Sequence, residues 1–333
     1  MAEPLVEIRS LAKYFAVTRG IVRRKQVGEI RAVDGIDLTI RTGETLGLVG
    51  ESGCGKSTTG RLILGLLPPT NGVILHKGVD IAAMTPAELR RMRSRFQMIF
   101  QDPFGSFNPR MTVRDLIAEP LKINGRVKAE RLEKADALLG AVGLGPQHAN
   151  RFPHEFSGGQ RQRIGIARAL ALGPDLVVAD EPVSALDVSV QAQVINLMQD
   201  LQQDLGLTYL FISHDLGIVH HIADRVAVMY LGRIVEITTK STLFAAPAHP
   251  YTRALLAAIP VSRPDYRRPE RTLTGDPPGL ATTAVGCRFA PRCPFVTDRC
   301  RADDPVLRSI DTGHDVACHH AETIRADNPN PRS

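Results

Sequence analysis

Positions 50–58 of the sequence read Gly50-Glu51-Ser52-Gly53-Cys54-Gly55-Lys56-Ser57-Thr58. The apolar run Thr45-Leu46-Gly47-Leu48-Val49 precedes this stretch and Leu62-Ile63-Leu64 follows it, which predicts a strand, a tight loop and a helix. This is the G-x-x-x-x-G-K-[ST] pattern, in which loop amides and a helix N-terminus together form an anion site. Lys56 can reach the β- and γ-phosphates, and the Ser57 hydroxyl can ligate Mg²⁺. A glycine-rich turn without a ligand would not need these residue types, so we expect a nucleoside triphosphate site.

The composition is that of an ordinary globular protein. The chain has 333 residues, 43% of them apolar and 23% charged, and this length predicts two or three domains. No apolar run reaches the length needed to cross a bilayer, and the start Met1-Ala2-Glu3-Pro4 is not typical of a signal peptide. We therefore expect a cytosolic chain, unless a partner holds it at a membrane. The net charge of +6 is compatible with anionic lipid or with nucleotide and is diagnostic of neither.

Strand and helix patterns alternate along most of the chain. Alternating or apolar runs predict strands, and between them residues 112–143 carry a helical periodicity that predicts a helical insertion. This order indicates an α/β sandwich with a largely parallel sheet. Residues 18–31 contain several arginines and are predicted to form a basic loop, either simply solvated or lying near anionic lipid headgroups.

Further polar residues stand where buried strands are predicted to end. Asp180 closes an apolar strand and can hold Mg²⁺ through water, while Glu181 can polarise the water that attacks the γ-phosphate. Gln101 and His214 follow two other buried strands, at the sheet edge where ligands bind. An Asp-Glu pair at a strand end could also merely cap the next helix, but the phosphate loop upstream favours the catalytic interpretation.

The segment Ser157-Gly158-Gly159-Gln160 is a second predicted anion site. It opens a helix and offers a serine hydroxyl, yet it lies on the helical insertion and is predicted to be too distant to serve the same phosphate loop.

With these motifs the chain resembles the ATP-binding-cassette (ABC) ATPases over roughly residues 5–240. The resemblance implies a P-loop ABC fold, with a mixed, largely parallel sheet core, an antiparallel β-subdomain and a helical subdomain at about residues 111–160. It implies ATP and Mg²⁺ as ligands, and it divides the chain into a nucleotide-binding domain at 1–240 and a small cysteine-containing extension at 241–333. In this family the signature of one cassette closes over the nucleotide of another, which explains the remote position of Ser157.

The same resemblance assigns a role to each site residue. Glu181, His214 and Gln101 are the implied catalytic residues, and Phe15 (or its neighbour Tyr14) is the aromatic that stacks on adenine. Ser57, Gln101 and Asp180 are the implied Mg²⁺ ligands. The implied nucleotide-binding residues are Phe15, Gly50, Ser52, Gly53, Cys54, Gly55, Lys56, Ser57, Thr58, Asp180, Ser157, Gly158, Gly159, Gln160 and Asp187.

Three features resemble the dipeptide/oligopeptide importer branch of the family. They are the phosphate-loop residues 51–55, the segment from Gln101-Asp102-Pro103 to Asn108-Pro109-Arg110, and His249-Pro250-Tyr251-Thr252 together with the tail beyond it. The branch implies a second, different cassette subunit, two permease subunits, an extracytoplasmic peptide-binding protein and a peripheral location at the cytoplasmic face of the cell (inner) membrane. Two alternatives stay open: an importer of nickel or another small solute, and a soluble cassette protein acting on ribosomes or DNA. We expect no nucleic-acid partner.

Two hypotheses concern the cysteines. Cys287, Cys293, Cys300 and Cys318 follow a C-x5-C-x6-C-x17-C spacing, looser than that of common zinc sites. The branch resemblance implies a 4Fe-4S cluster on these four thiolates, with zinc or unliganded thiols as alternatives. Cys54, at a helix N-terminus, is expected to have a depressed pKa and to react readily with maleimide, or else simply to be a small residue that fits.

Overall fold

The computed structural model describes residues 3–19, 25–102, 104–259 and 285–327. Strands and helices alternate through the first 240 residues, as the sequence pattern predicts. The strands are β1 Pro4–Arg19, β2 Lys25–Arg41, β3 Thr45–Val49, β4 Asn71–His76, β5 Val79–Asp80, β6 Phe96–Ile99, β7 Leu176–Asp180, β8 Thr208–Ser213, β9 Arg225–Tyr230, β10 Arg233–Thr239, β11 Arg308–Asp311 and β12 His314–Val316. The helices are α1 Lys56–Ile63, α2 Pro86–Met92, α3 Val113–Ile123, α4 Lys128–Ala141, α5 Gly158–Leu170, α6 Val188–Leu205, α7 Leu216–Ile222, α8 Lys240–Ala245, α9 Pro250–Ala257, α10 Asp298–Ala302 and α11 Ala321–Ala326.

The larger sheet has eight strands in the order β11-β12-β10-β9-β3-β8-β7-β6. From β9 to β6 the neighbouring strands pair in parallel, so their carboxyl ends reach one edge of the sheet. Strands β3, β7 and β8 are buried along their whole length, as is typical of parallel strands covered on both faces. This geometry brings the loops after β3, β6, β7 and β8 to the same place.

The smaller sheet is antiparallel, with the strand order β2-β1-β4-β5. The β4–β5 hairpin of this sheet turns at Lys77 and Gly78, both with positive φ. The predicted basic loop at residues 18–31 is largely wrong: β1 runs to Arg19 and β2 begins at Lys25, with Thr18 opposite Gln26. Pairing between two long strands overrides the weak pattern of this charged stretch, and residues 20–24 lie outside the described residues.

The helical insertion consists of α3 and α4, followed by α5. Thr112 caps α3, accepting a hydrogen bond from the Asp115 amide, and the inward stripe of α3 is buried. Leu116, Ile117 and Leu139 pack with Ile164 of α5 in the cluster of buried residues that also holds the inner face of the larger sheet. The insertion is therefore packed firmly onto the larger sheet.

The C-terminal extension joins the larger sheet directly. Strand β12 pairs antiparallel with β10, Glu236 standing opposite Val316, and β11 then pairs with β12. The structure shows a small cluster of Ala248, Val316, Cys318, Ala321 and Ile324 that lies against the sheet it extends. The tail is thus anchored by backbone pairing as well as by side chains.

Candidate nucleotide-binding and catalytic site

The phosphate loop lies between β3 and α1, in the strand–loop–helix context that the sequence predicts. Lys56 begins α1, is almost fully buried, and donates from Nζ to the carbonyls of Gly50 (2.7 Å) and Glu51 (2.9 Å). Ser52 and Gly53 are exposed at the tip of the loop, and Thr58 is half-buried in the first turn of α1. The lysine therefore already lies inside the curve of the loop that wraps a phosphate.

Two glycines of the loop are required by backbone geometry. Gly50 has φ +154°, and a Cβ there would lie 2.1 Å from the Met229 carbonyl oxygen. Gly55 has φ +113°, and a Cβ there would lie 2.0 Å from the Ala32 carbonyl oxygen. Both atoms belong to backbone, which cannot swing away, so residues with side chains are excluded at these positions.

Two of the three predicted magnesium ligands meet across the sheet. The Ser57 hydroxyl donates to Asp180 Oδ1 at 2.8 Å, which joins the start of α1 to the end of β7. Burial raises the pKa of the Asp180 carboxyl, an effect that the Ser57 hydrogen bond partly offsets. A hydroxyl and a carboxylate at this spacing form the oxygen-rich pair to which Mg²⁺ binds in phosphoryl-transfer sites.

Glu181 is the point where the remaining catalytic candidates converge. His214 Nδ1 lies 3.1 Å from one carboxylate oxygen of Glu181, and Gln101 Nε2 donates to the other at 3.4 Å. Glu181 has φ +49°, a left-handed conformation that is costly for a residue with a side chain and that is found preferentially at functional sites. The structure thus brings Gln101, Glu181 and His214 together at the edge where β6, β7 and β8 end.

Ser157 to Gln160 form the N-terminus of α5. The Ser157 hydroxyl accepts the Gln160 amide hydrogen, and Gln160 Oε1 accepts the Ser157 amide hydrogen, so the two residues form a capping box. Ser157 and Gly158 are exposed, whereas a Cβ on buried Gly159 would lie 2.3 Å from Val190 Cγ1. The segment therefore packs against the start of α6. Asp187, the residue directly before α6, is exposed. Its action on the nucleotide of another cassette remains a prediction.

The two candidate aromatics on β1 differ in their surroundings. The Tyr14 hydroxyl donates to the buried Asp34 carboxylate, which Arg288 and Arg233 also contact. The Phe15 ring is 39% exposed, with the Lys13 ammonium 5.3 Å from its centroid. Since the Tyr14 hydroxyl is bound to Asp34 and the Phe15 ring is exposed, Phe15 is the better candidate for the predicted stacking on adenine.

The expectation of a reactive Cys54 is wrong. The thiol is 4% exposed, and burial raises its pKa despite the opposing effect of Lys56. Sequence position at a helix N-terminus suggested a depressed pKa, but the desolvation of the thiolate outweighs that contribution. The interpretation as a small residue that fits its place is the one that the structure favours.

The C-terminal cysteines lie in one neighbourhood. Cys293 and Cys318 each accept an amide hydrogen on sulfur, from Phe295 and His320, both at 3.4 Å. Burial, with a smaller contribution from the other thiols, raises the pKa of Cys293 to about 11 and that of Cys318 to about 12. The donor chemistry suits a thiolate-bound metal. However, within the described ranges no group of three or more Cys, His, Asp or Glu residues is close enough together to hold a metal ion, so the predicted 4Fe-4S cluster is not supported.

Sequence reasoning missed a contact between the extension and the phosphate loop. The Arg292 guanidinium binds both carboxylate oxygens of Glu51, at 2.8 and 2.9 Å, and the Tyr251 hydroxyl accepts the Glu51 amide hydrogen at 2.8 Å. More than 190 residues separate each contact partner from Glu51 in the chain. No local pattern in the sequence indicates a pairing over such a distance.

Comparison with known proteins gives matches over nearly the whole chain. Residues 33–184 match the family described as "ABC transporter", and residues 235–300 match "Oligopeptide/dipeptide transporter, C-terminal region". The chain is 53% identical to the oligopeptide transport ATP-binding protein AppF of Bacillus subtilis, over 95% of this chain and 97% of that protein. It is 52% identical to a probable peptide ABC transporter ATP-binding protein, y4tS, of Sinorhizobium fredii, over 96% of this chain and 90% of that protein.

Solved structures give the same picture at greater distance. The dimeric ATP-binding cassette MJ0796 in a post-hydrolysis state with ADP and Pi has a TM-score of 0.62 and 27% identity, over 71% of this chain and 98% of that one. The cassette cbiO1 of Clostridium perfringens, part of a cbiONQ transporter complex, has a TM-score of 0.63 and 25% identity, over 73% of this chain and 91% of that one. These likenesses confirm the predicted fold class. In the part of the chain that the structure describes, the helices are too short or too polar to cross a membrane.

Proposed function

Because the chain belongs to the ABC transporter family, as an ATP-binding subunit of the oligopeptide/dipeptide type, we propose that it hydrolyses ATP to drive peptide import through two permease subunits. The observation that carries the proposal is the convergence of Gln101 and His214 on the Glu181 carboxylate, beside the Ser57–Asp180 pair. The groups that this chain would supply for phosphoryl transfer to water thus lie at one edge of the sheet.

The mechanism follows from these positions. Lys56 leaves the carbonyls of Gly50 and Glu51 to reach the phosphates, which the loop amides and the N-terminus of α1 also bind. Ser57 and, through water, Asp180 would hold Mg²⁺, which would supply charge neutralisation at the β- and γ-phosphates. Glu181 then accepts a proton from the attacking water, and His214 contacts the γ-phosphate.

The proposal includes a second cassette that completes the site. Ser157 and Gly158 are exposed at the start of α5, and the Ser157 hydroxyl and the Gly158 amide can bind the γ-phosphate of a nucleotide held by the partner. ATP binding would join the two cassettes and hydrolysis would separate them. In the proposed complex the partner is a different chain, and the pair lies at the cytoplasmic face of the cell membrane beside the permeases and an extracytoplasmic peptide-binding protein.

A groove between the sheet and the helical insertion supports the proposed contact with the permeases. It encloses a cavity of about 270 Å³, lined among others by Phe100, Phe107 and Arg168. Phe100 is 44% exposed, and Arg168 binds the Ser106 carbonyl and Glu119, so the walls of the groove are fixed while its apolar floor is accessible. The groove adjoins the segment that begins at Gln101, so a helix seated in it would move with the catalytic edge.

A single substitution tests the catalytic assignment. We expect Glu181→Gln to keep ATP binding, to lower the hydrolysis rate at least about 100-fold, and to accumulate an ATP-bound dimer. Glu322→Gln, on an exposed glutamate of the extension that pairs with Arg308, is the matched control and should leave turnover unchanged. Wild-type turnover in Glu181→Gln would refute the role of this residue.

The substrate class has its own test. In proteoliposomes that contain the purified complex, an oligopeptide-loaded binding protein should stimulate ATP hydrolysis. Stimulation by nickel and not by peptide would support the alternative importer, and co-purification with ribosomes or DNA in place of permeases would refute transport.

We also propose that the four cysteines of the extension hold a structural 4Fe-4S cluster. The amide hydrogen bonds to the sulfurs of Cys293 and Cys318 support it, and the four thiols would have to draw closer together to form the ligand group that the described residues do not show. Anaerobic purification should yield about four iron and four sulfide per chain. Zinc in place of iron, or titratable free thiols without metal, would refute it.

A further inference from the structure

Glu51, in the phosphate loop, is held at each of its polar groups. Its carboxylate accepts both Nη donors of Arg292, its amide donates to the Tyr251 hydroxyl, and its carbonyl accepts Lys56 Nζ. The lysine that must reach the phosphates is therefore tied to the same residue that the C-terminal extension holds. Any movement of Glu51 changes the position from which Lys56 acts.

The Arg292 contact has the geometry of a strong ion pair. The guanidinium binds in a bidentate manner, and the arginine side chain is only 5% exposed while that of Glu51 is 25% exposed. Arg292 lies 5.9 Å from the centroid of the Tyr230 ring and directly precedes Cys293. A bidentate pair with so little solvent contact fixes the direction of both side chains as well as their distance.

The Tyr251 contact is part of an aromatic cluster. Tyr251 is fully buried at the start of α9, with its ring 4.6 Å from Tyr230 and 5.6 Å from Phe289, centroid to centroid. The hydroxyl thus approaches Glu51 from a side chain that packing holds in place. The amide of Glu51 would lose its partner if this hydroxyl were removed.

We propose that Arg292 and Tyr251 are positioning residues for ATP, through which the C-terminal extension fixes the phosphate loop in the conformation that binds nucleotide. The inference rests on the proposed ATPase function and adds that the extension sets ATP affinity. If the loop is already ordered before ATP arrives, less conformational entropy is lost when ATP binds. Weakening the contacts to Glu51 should therefore raise the KM for ATP and leave kcat nearly unchanged.

The first test removes the ion pair. We expect Arg292→Met to weaken ATP binding to the full-length chain about five- to tenfold, and to reduce the ATP-induced rise in Tm. Arg292→Lys should recover part of the affinity, because a point charge replaces the fork only incompletely. Arg308→Met is the matched control: it also breaks a bidentate pair of the extension, with Glu322, but not one with the loop. It should bind ATP like the wild type.

The second test changes a single oxygen atom. Tyr251→Phe leaves the aromatic packing intact and should raise the KM for ATP about threefold or more, with kcat within a factor of two. Tyr209→Phe is the matched control, because Tyr209 is fully buried and its hydroxyl has no hydrogen-bond partner among the described residues. Tyr209→Phe should leave the KM for ATP unchanged. The comparison of Tyr251→Phe with Tyr209→Phe therefore tests the positioning role even if Arg292→Met does not fold.

The outcomes separate the inference from the function on which it rests. If wild-type protein binds ATP and Lys56→Ala does not, the site is as proposed. If, in addition, Tyr251→Phe and any folded Arg292→Met match their controls in KM, the positioning role is overturned. If the wild type itself does not bind ATP, the proposed function fails first.

Discussion

Glu236 is the residue on which the docking of the C-terminal extension depends most directly. Its side chain is fully buried in β10, where Oε1 accepts the Ala248 amide at 2.8 Å and lies 2.8 Å from His314 Nε2. Oε2 accepts the His249 amide at 3.0 Å. One carboxylate thus joins the last core strand to the α8–α9 connection and to β12. We predict that Glu236→Gln loosens all three.

The magnitude can be worked from the three bonds. A glutamine carbonyl at the Oε1 position keeps two of them in weaker, uncharged form, while its NH₂ group faces the His249 amide, donor against donor. Losing one charge-assisted bond and leaving a buried N–H unpaired costs about 3 kcal/mol. At about 1.4 kcal/mol per factor of ten, the opening of the extension becomes roughly 100-fold more frequent.

Hydrogen exchange measures this opening without depending on the state of the cysteines. In Glu236→Gln the amides of β12, and the amide that the following residue Ala317 donates to the Val235 carbonyl, should exchange about 100-fold faster, while those of β3 and β8 keep their protection. Glu322→Gln, at an exposed ion pair of the same extension, should exchange like the wild type. Unchanged protection of β12 in folded Glu236→Gln would refute the reasoning.

Three further predictions follow from individual side chains. Burial lowers the pKa of His249 from 6.5 to about 4, so between pH 7 and 5 the unfolded chain binds a proton that the native chain does not bind. The free energy of unfolding, measured with urea, should therefore fall by about 2 kcal/mol over this pH range. His249→Asn can still cap α9 and should flatten this dependence on pH. An equally steep loss in His249→Asn would contradict it. Because burial raises the pKa of Cys54, maleimide should label it at least about tenfold more slowly in native than in urea-unfolded protein, by peptide mass spectrometry; equal rates would exclude a buried thiol. Asp180→Asn should raise the Mg²⁺ concentration for half-maximal ATP hydrolysis about tenfold and leave Mg²⁺-free ATP binding unchanged; an unaltered Mg²⁺ dependence would remove Asp180 from the metal site.

The catalytic edge could be predicted because its signals are local. Gly50 to Thr58 combine a turn that only glycine can make with a helix start, and Asp180 and His214 each follow a run of apolar residues that can only be a buried strand. In a parallel sheet the carboxyl ends of these strands lie at the same edge, whatever sequence connects the strands. The same logic placed Gln101 beside Glu181 without knowledge of the loops between them.

The remaining features depend on pairings between distant parts of the chain. Strand β12 pairs with β10, and Arg292 binds Glu51, only once the C-terminal extension has folded against the first 240 residues. The pKa of Cys54 likewise depends on what packs over it, which the helix-terminus argument could not supply. Long strands β1 and β2 formed where charge alone suggested a loop, because cross-strand partners override local preference.

The pairing of β12 on β10 also bears on solubility. Without residues 308–316, the backbone groups of Glu236 and Ile237 that face β12 would lose their hydrogen-bond partners. Strand β10 would then be an exposed edge strand beside buried apolar side chains. Exposed edge strands can pair with strands of other molecules. A shortened chain would therefore be prone to aggregate even with its nucleotide pocket intact, so the tail acts as a built-in guard against self-association.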